Sequence, residues 1–164
     1  MVPVISFIGR HNSGKTTVLQ KVIRILSDQG CRVGVIKHSS HDFNIDVPDT
    51  DSFRLFQAGA RAISVSSAQK LAFYKHVQED TSLDELCRLM QDDVDIIFTE
   101  GFKREDRPKI EVARQGISSD LINPHNLIAL VVDFPVSEVK VPVFGFDDAE
   151  SLCRFIQDNF MADN

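Results

Sequence analysis

The chain has 164 residues, a net charge of −6 and 43% hydrophobic residues. This length suits one domain with its own core, and the composition excludes a disordered or fibrous protein. The acidic balance argues against a broad surface for nucleic acid or membrane, because such a surface needs clustered Lys and Arg. We therefore expect a single domain over residues 1–164, in which any polyanionic ligand is bound at a local site.

The three cysteines, Cys31, Cys87 and Cys153, are far apart and form no CxxC pair. Their spacing disfavours a zinc site and a disulfide framework and is typical of a reducing compartment. The apolar start of the chain is short, and a basic residue follows it rather than precedes it. No run approaches the roughly 18 apolar residues of a membrane span. We therefore expect a cytoplasmic protein.

Short apolar segments alternate with amphipathic segments along the chain, which predicts strands alternating with helices. The predicted strands are 2–8, 32–36, 62–66, 71–74, 94–98, 110–112, 127–132 and 141–144. The predicted helices are 16–28, 51–58, one that starts after Ser82, and one capped by Asp147 or Asp148. Strands that are apolar throughout indicate an α/β protein with a mostly parallel sheet covered on both faces. The segment 62–74 is expected to add antiparallel strands.

The sequence GRHNSGKT at residues 9–16 matches the phosphate-binding motif G-x-x-x-x-G-K-[ST] at every fixed position. It follows a predicted strand and precedes a predicted helix, which is the context that the motif requires. Glycine lets successive backbone N–H groups surround a phosphate, and the helix N-terminus adds partial positive charge. The fold class predicted is a three-layer P-loop NTPase fold. The residues expected to bind the nucleotide are Gly9, His11, Asn12, Ser13, Gly14, Lys15, Thr16 and Thr17.

Two of these side chains have specific expected roles. Lys15 would contact the β- and γ-phosphates, and the Thr16 hydroxyl would bind Mg²⁺. A magnesium–nucleotide site also needs an acidic residue, usually at the end of a neighbouring parallel strand. Glu100 follows the apolar strand 94–98, and Gly101 would let a phosphate approach its N–H. The alternatives are a chance motif match and an exposed carboxylate at a strand end.

Polar residues also follow two other strands. Asp133 follows strand 127–132 and could accept two hydrogen bonds from a guanine edge, although Leu130 and Val131 replace the usual Asn-Lys of a guanine motif. The residues after the second strand could supply a phosphate-binding cation, a metal ligand or a group that orients water, or form a solvated loop: Lys37, His38, His41 and Asp42. A second anionic ligand or internal ion pairs would explain the basic residues Lys103, Arg104 and Arg107.

Four stretches together resemble the molybdopterin-guanine dinucleotide biosynthesis protein B (MobB) family, small P-loop proteins of molybdenum cofactor synthesis. They are the phosphate loop at 9–17, IKHSSHDF at 36–43, DSFR with AGA at 51–60, and TEGFK with PKIEV at 99–112. The resemblance implies a homodimer that binds GTP and hydrolyses it weakly. It also implies a role beside the guanylyltransferase that attaches guanosine monophosphate to molybdopterin, either delivering nucleotide or accepting molybdopterin or its guanine dinucleotide form.

The resemblance further implies that Asp42 and Glu100 lie near Mg²⁺ and the γ-phosphate, and that Lys103 and Lys109 lie on or near the functional face. The resulting interpretation is an accessory GTP-binding protein with slow GTPase activity. Its catalytic residues would be Lys15, Asp42 and Glu100, and its metal ligands Thr16, Asp42 and Glu100. A P-loop small-molecule or nucleoside kinase is the alternative, although the basic segment 103–107 is short and half acidic for a closing lid. A third reading is a binding module without turnover.

Overall fold

The computed structural model describes residues 2–39, 41–117 and 120–162. The chain divides into two compact units. The sheet unit consists of residues up to 38 together with those from 83 onward, and the hairpin unit consists of residues 39–82. A single nucleotide-binding domain over 1–164 stays a prediction.

Eight strands and four helices occur in the described part of the chain. In chain order they are β1 (Val4–Ile8), α1 (Lys15–Asp28), β2 (Val33–Lys37), α2 (Asp51–Gln57), β3 (Ala62–Ser66), β4 (Leu71–Lys75), α3 (Leu83–Arg88), β5 (Ile96–Glu100), β6 (Lys109–Ala113), β7 (Leu127–Val132), β8 (Val143–Phe144) and α4 (Ala149–Phe160). All were predicted from the sequence, with ends displaced by about two residues, which is the usual uncertainty of element boundaries.

The sheet unit is built on one parallel sheet in the order β2-β5-β1-β6-β7-β8. Helices α1 and α4 pack on one face, where the edge-to-face rings of Phe7 and Phe98 are 5.4 Å apart and fully buried. Helix α3 packs on the other face through Leu83, against Ile36 and Ile97. Since both faces are covered, the strands are largely apolar, and the predicted three-layer α/β P-loop-like fold is confirmed.

The hairpin unit contains α2 and the antiparallel pair β3 and β4, in the register Ala62↔Lys75 to Ser66↔Leu71. These two strands form a sheet of their own and do not extend the parallel sheet. Helix α2 begins after Thr50, whose hydroxyl accepts a hydrogen bond from the Phe53 N–H at 3.3 Å. Such a cap satisfies one of the unpaired N–H groups at a helix start.

The start of α4 differs from the prediction in one detail. Asp148 occupies the N-cap position as predicted, but its side chain accepts from the upstream Gly145 N–H at 2.7 Å instead of from the helix. The alternative cap, Asp147, pairs with Lys21 of α1 at 2.9 Å. Across residues 2–39, 41–117 and 120–162, no helix combines the length and apolarity that crossing a membrane would require.

Candidate functional site

The loop between β1 and α1 is shaped by two glycines with positive φ. Gly9 has a φ of 152°, and a Cβ at this position would lie 2.2 Å from the Val112 carbonyl oxygen. Gly14 has a φ of 90°, and a Cβ here would lie 2.7 Å from Cε1 of Phe146. Side chains are excluded at both positions by contact and by conformation. The structure therefore explains why glycine occupies both of these motif positions.

Lys15 begins α1 and turns back over the loop. Its Nζ donates a hydrogen bond to the Arg10 carbonyl oxygen at 2.7 Å. Burial lowers the pKa of Lys15, and the nearby cations Lys103 and Lys37 lower it further, while Glu100 opposes them. A lowered lysine pKa means that the surroundings disfavour the ammonium charge. A polyanion at this position would relieve that cost.

Thr16 and Glu100 are brought together by the order of the strands. Phe7 pairs with Glu100 in the parallel register of β1 and β5, so the carboxylate emerges beside the loop that follows β1. The Thr16 Oγ1 lies 3.2 Å from both carboxylate oxygens of Glu100. One hydroxyl and one carboxylate are the oxygen ligands that Mg²⁺ accepts when phosphates and water supply the rest. The structure therefore brings together two of the side chains that the sequence predicts as Mg²⁺ ligands, and that role stays a prediction.

The other predicted loop residues differ in burial. The Ser13 side chain is fully buried, and its Oγ has no hydrogen-bond partner in the described part of the chain. A buried hydroxyl without a partner is rare in folded proteins. His11, Asn12 and Thr17 are exposed. The Ser13 hydroxyl is therefore a polar group in the loop that a ligand could satisfy.

Gly101 directly follows Glu100 at the end of β5. Its φ is 109°, and a Cβ here would lie 3.1 Å from the Cβ of His38. The His38 N–H donates to the Glu100 carbonyl at 3.0 Å, so the ends of β2 and β5 remain hydrogen-bonded. Among the described residues, no group of three or more His, Cys, Asp or Glu side chains could hold a metal. A Mg²⁺ site is compatible with this, because Mg²⁺ commonly uses one or two carboxylates together with phosphates.

Asp133 lies after β7 and already has partners. Its Oδ1 accepts from the Gln115 N–H at 2.6 Å, and its Oδ2 is 3.5 Å from Nε of Arg114. The Arg114 guanidinium lies over the ring of Phe146, 4.6 Å from the ring centre. Neither Arg114 nor Phe146 was predicted as a site residue from the sequence. Arg114 follows β6 and Phe146 follows β8, and only the order of the strands brings the two side chains together.

Asp42 belongs to the hairpin unit. Its Oδ1 accepts from the Phe43 N–H at 2.9 Å. Asp42 also lines a groove of about 460 Å³ within this unit, together with Phe56 and Tyr74. The role of Asp42 as a metal ligand and catalytic residue stays a prediction.

The basic residues between β5 and β6 have mixed surroundings. Lys103 and Arg104 are exposed, whereas Arg107 forms an ion pair with Asp84 at 2.5 Å. Lys109 is only 3% exposed, and its Nζ donates to the carbonyl oxygens of Glu105 and Arg107 at 2.5 and 3.1 Å. Lys109 therefore holds the preceding loop in place through its backbone.

The strand order and the glycine loop between β1 and α1 define the sheet unit as an α/β P-loop-like protein. The family model described as "Molybdopterin guanine dinucleotide synthesis protein B" matches residues 4–133. This chain belongs to that family, MobB.

Related proteins agree with this assignment. The molybdopterin-guanine dinucleotide biosynthesis adapter protein of Escherichia coli (strain K12) is 34% identical over 162 residues, covering 95% of this chain and 92% of that protein. The adapter protein of the same name from Haemophilus influenzae is 30% identical over 158 residues, covering 95% and 88%. The crystal structure of Bacillus subtilis MobB superposes with a TM-score of 0.78 at 26% identity, covering 96% of this chain and 98% of that one.

Proposed function

We propose that the protein is a cytoplasmic adapter in molybdopterin guanine dinucleotide synthesis, which binds GTP with Mg²⁺ and acts beside the guanylyltransferase of that reaction. The observation that carries the nucleotide site is the contact of Thr16 Oγ1 with both carboxylate oxygens of Glu100 at 3.2 Å. The biosynthetic role is supported by the relatives, which are named as adapter proteins for this dinucleotide.

In this proposal the groups of the loop between β1 and α1 contact the phosphates and the metal. The backbone N–H groups from Gly9 to Thr17 surround the phosphates, and Lys15 exchanges its contact with the Arg10 carbonyl for the β- and γ-phosphates. The buried Ser13 hydroxyl donates to a phosphate oxygen, which would give it a partner. Thr16 and Glu100 hold Mg²⁺, which neutralises phosphate charge when bound.

Slow hydrolysis would use the same groups. A water oxygen bonds to the γ-phosphorus while the bond to the β–γ bridging oxygen breaks. The electron pair of the broken bond stays on the β-phosphate of GDP, and a water proton passes to the released phosphate. Lys15 stabilises the charge that develops on the leaving oxygen. Glu100 and Asp42 would position the metal and the water, the role of Asp42 resting on the family resemblance. Asp133 would accept hydrogen bonds from the guanine edge.

The hairpin unit is proposed as the surface for association, either with a second copy or with a protein or pterin partner. Its apolar side chains are unusually exposed, with Leu71 at 75%, Phe43 at 67% and Phe73 at 60%. Exposed apolar side chains in such number favour contact with another molecule. A two-stranded sheet is also marginally stable by itself, so a homodimer that covers β3 and β4 would stabilise it.

The metal site is tested by calorimetric titration of GTP at increasing Mg²⁺ concentrations. Glu100→Gln should weaken the Mg²⁺-dependent part of GTP binding by about 10- to 100-fold, since a charged oxygen contact contributes about 1.5–3 kcal/mol. Glu105→Gln, which removes the same charge from an exposed side chain, is the matched control. Unchanged Mg²⁺ dependence in Glu100→Gln would reject the proposed ligand.

A single-turnover incubation separates the adapter from the kinase alternative. The proposal predicts slow release of inorganic phosphate from GTP and weaker competition by ATP than by GTP. Transfer of the γ-phosphoryl group to a small-molecule acceptor would instead favour a kinase. No release and no transfer, with GTP bound, would indicate a binding module.

A further inference from the structure

Three side chains that are distant in sequence meet at the carboxyl ends of adjacent strands. Arg114 follows β6, Asp133 follows β7, and Phe146 follows β8. The Arg114 guanidinium lies 4.6 Å from the centre of the Phe146 ring and its Nε lies 3.5 Å from Asp133. We refer to these three residues as the Arg114 cluster. In parallel α/β sheets, ligands bind beyond the carboxyl ends of the strands.

The Arg114 cluster borders the phosphate loop directly. The edge of the Phe146 ring lies against Gly14, where a Cβ would come within 2.7 Å of Cε1. Lys21 of α1 donates to the Phe146 carbonyl at 2.7 Å and to Asp147 at 2.9 Å. These contacts fix the ring relative to the loop residue that immediately precedes Lys15. A group attached to a phosphate in the loop would therefore be within short reach of this ring.

The guanidinium of Arg114 has two neighbours that restrict its position. Its Cζ lies over the Phe146 ring at 4.6 Å from the ring centre, and its Nε lies 3.5 Å from Oδ2 of Asp133. The Arg114 side chain is nevertheless 44% exposed. Arginine stacks on aromatic rings and on nucleobases through the plane of its guanidinium, a property that lysine lacks. An ordered, partly exposed guanidinium beside a phosphate loop is a surface suited to a planar base.

We infer that the Arg114 cluster is the base-recognition site of the nucleotide, with the purine stacked on the exposed face of the Arg114 guanidinium and Phe146 supporting that guanidinium from below. This inference rests on the proposed nucleotide binding and adds the residues that determine its specificity. Asp133 has acceptor capacity beyond its bonds to Gln115 and Arg114, because a carboxylate offers about four lone-pair sites. It reads the N–H donors of guanine, which adenine lacks at those positions.

The test compares two ligands on the full-length chain by calorimetry, each with Mg²⁺. GTP contacts both the phosphate loop and the Arg114 cluster, whereas tripolyphosphate contacts only the loop. Arg114→Lys keeps the positive charge and removes the planar guanidinium. It should lower GTP affinity by about tenfold, in the range found when a stacking side chain is lost. Tripolyphosphate affinity should stay unchanged. Arg104→Lys, in an exposed loop, is the matched control and should change neither affinity.

A second variant separates stacking from packing. Phe146→Leu keeps apolar bulk against Gly14 but removes the ring beneath Arg114, and should also lower GTP affinity without changing tripolyphosphate affinity. Asp133→Asn should reduce the preference for GTP over ATP. Equal losses of GTP affinity and tripolyphosphate affinity in Arg114→Lys and Phe146→Leu would overturn the inference. Arg114 and Phe146 would then only determine the conformation of the phosphate loop. Unchanged GTP affinity in Arg114→Lys would overturn it as well.

Failure of the proposed function gives a different result. If the unaltered protein binds neither GTP nor tripolyphosphate, the phosphate loop is not a nucleotide site, and both proposals are rejected. If it binds tripolyphosphate as tightly as GTP, the loop assignment stands and base recognition by the Arg114 cluster is wrong.

Discussion

Glu111 is a carboxylate in the centre of the parallel sheet, and its replacement by glutamine tests how the sheet unit is held together. Its side chain is 1% exposed. Its Oε1 accepts from the Ile122 N–H at 2.6 Å and its Oε2 accepts from the Asn123 N–H at 3.0 Å. These two bonds tie the segment before β7 to β6, since both donors are backbone groups of that segment.

Glu111→Gln removes one of the two acceptors and places an amide N–H₂ opposite a backbone N–H. A hydrogen bond to a charged group contributes about 1.5–3 kcal/mol, and a buried donor without a partner is costly. We therefore expect the free energy of unfolding to fall by about 2 kcal/mol. For a chain of this length the midpoint of thermal unfolding should fall by about 4–8 °C.

Urea unfolding followed by circular dichroism measures this change. The midpoint concentration should fall while the slope of the transition stays the same, because the surface exposed on unfolding is unaltered. Glu105→Gln is the matched control, since that side chain is exposed, and should stay within about 0.5 kcal/mol of the unaltered protein. A Glu111→Gln variant as stable as this control would show that the second carboxylate acceptor and its charge contribute no net stability.

Three further predictions concern conformation and ionisation. Gly14→Ala should destabilise the protein more than Gly30→Ala in urea unfolding, because both glycines have positive φ but only Gly14 lies against the Phe146 ring. Equal losses of unfolding free energy would show that this ring does not restrict residue 14. The Tyr74 hydroxyl donates a hydrogen bond to Asp46 at 2.6 Å, which holds the pKa of Asp46 below its ordinary value. This hydrogen bond therefore stabilises the fold above about pH 4, and its contribution is lost as the pH falls through the lowered pKa. In Tyr74→Phe, NMR titration should show the pKa of Asp46 raised, and an unchanged pKa would refute the contact. Burial raises the pKa of Cys153 to about 11, so at pH 8 iodoacetamide should modify the other two cysteines first; equally fast modification of Cys153 would contradict its burial.

The part of the candidate site that could be predicted from the sequence depends on local patterns. A strand, a glycine loop and a helix follow one another without interruption, so the phosphate loop could be placed from spacing alone. Glu100 could be paired with Thr16 because a parallel sheet puts all carboxyl ends at one edge. The structure places Thr16 Oγ1 3.2 Å from both Glu100 carboxylate oxygens.

The rest depends on which strands are neighbours, which the pattern of apolar residues does not encode. Arg114 and Phe146 are more than 30 residues apart and meet only because β6, β7 and β8 are adjacent. The resemblance implies that Lys109 lies on or near the functional face, whereas its side chain is buried and its ammonium group donates to the carbonyls of the preceding loop. The sequence pattern likewise does not show that β3 and β4 form a separate sheet, since tertiary packing determines which strands pair.

Whether the loop at 9–17 binds a nucleotide through its phosphates is measured by the affinity of Lys15→Ala for GTP with Mg²⁺. Lys140→Ala, which removes the same charge from an exposed side chain, is the control. Lys15→Ala should lose about 100-fold or more in GTP affinity, the equivalent of about 3 kcal/mol for a charge-assisted contact with phosphate. Lys140→Ala should bind GTP like the unaltered protein. Equal GTP affinity in the two variants would show that the loop at 9–17 is not the phosphate-binding site.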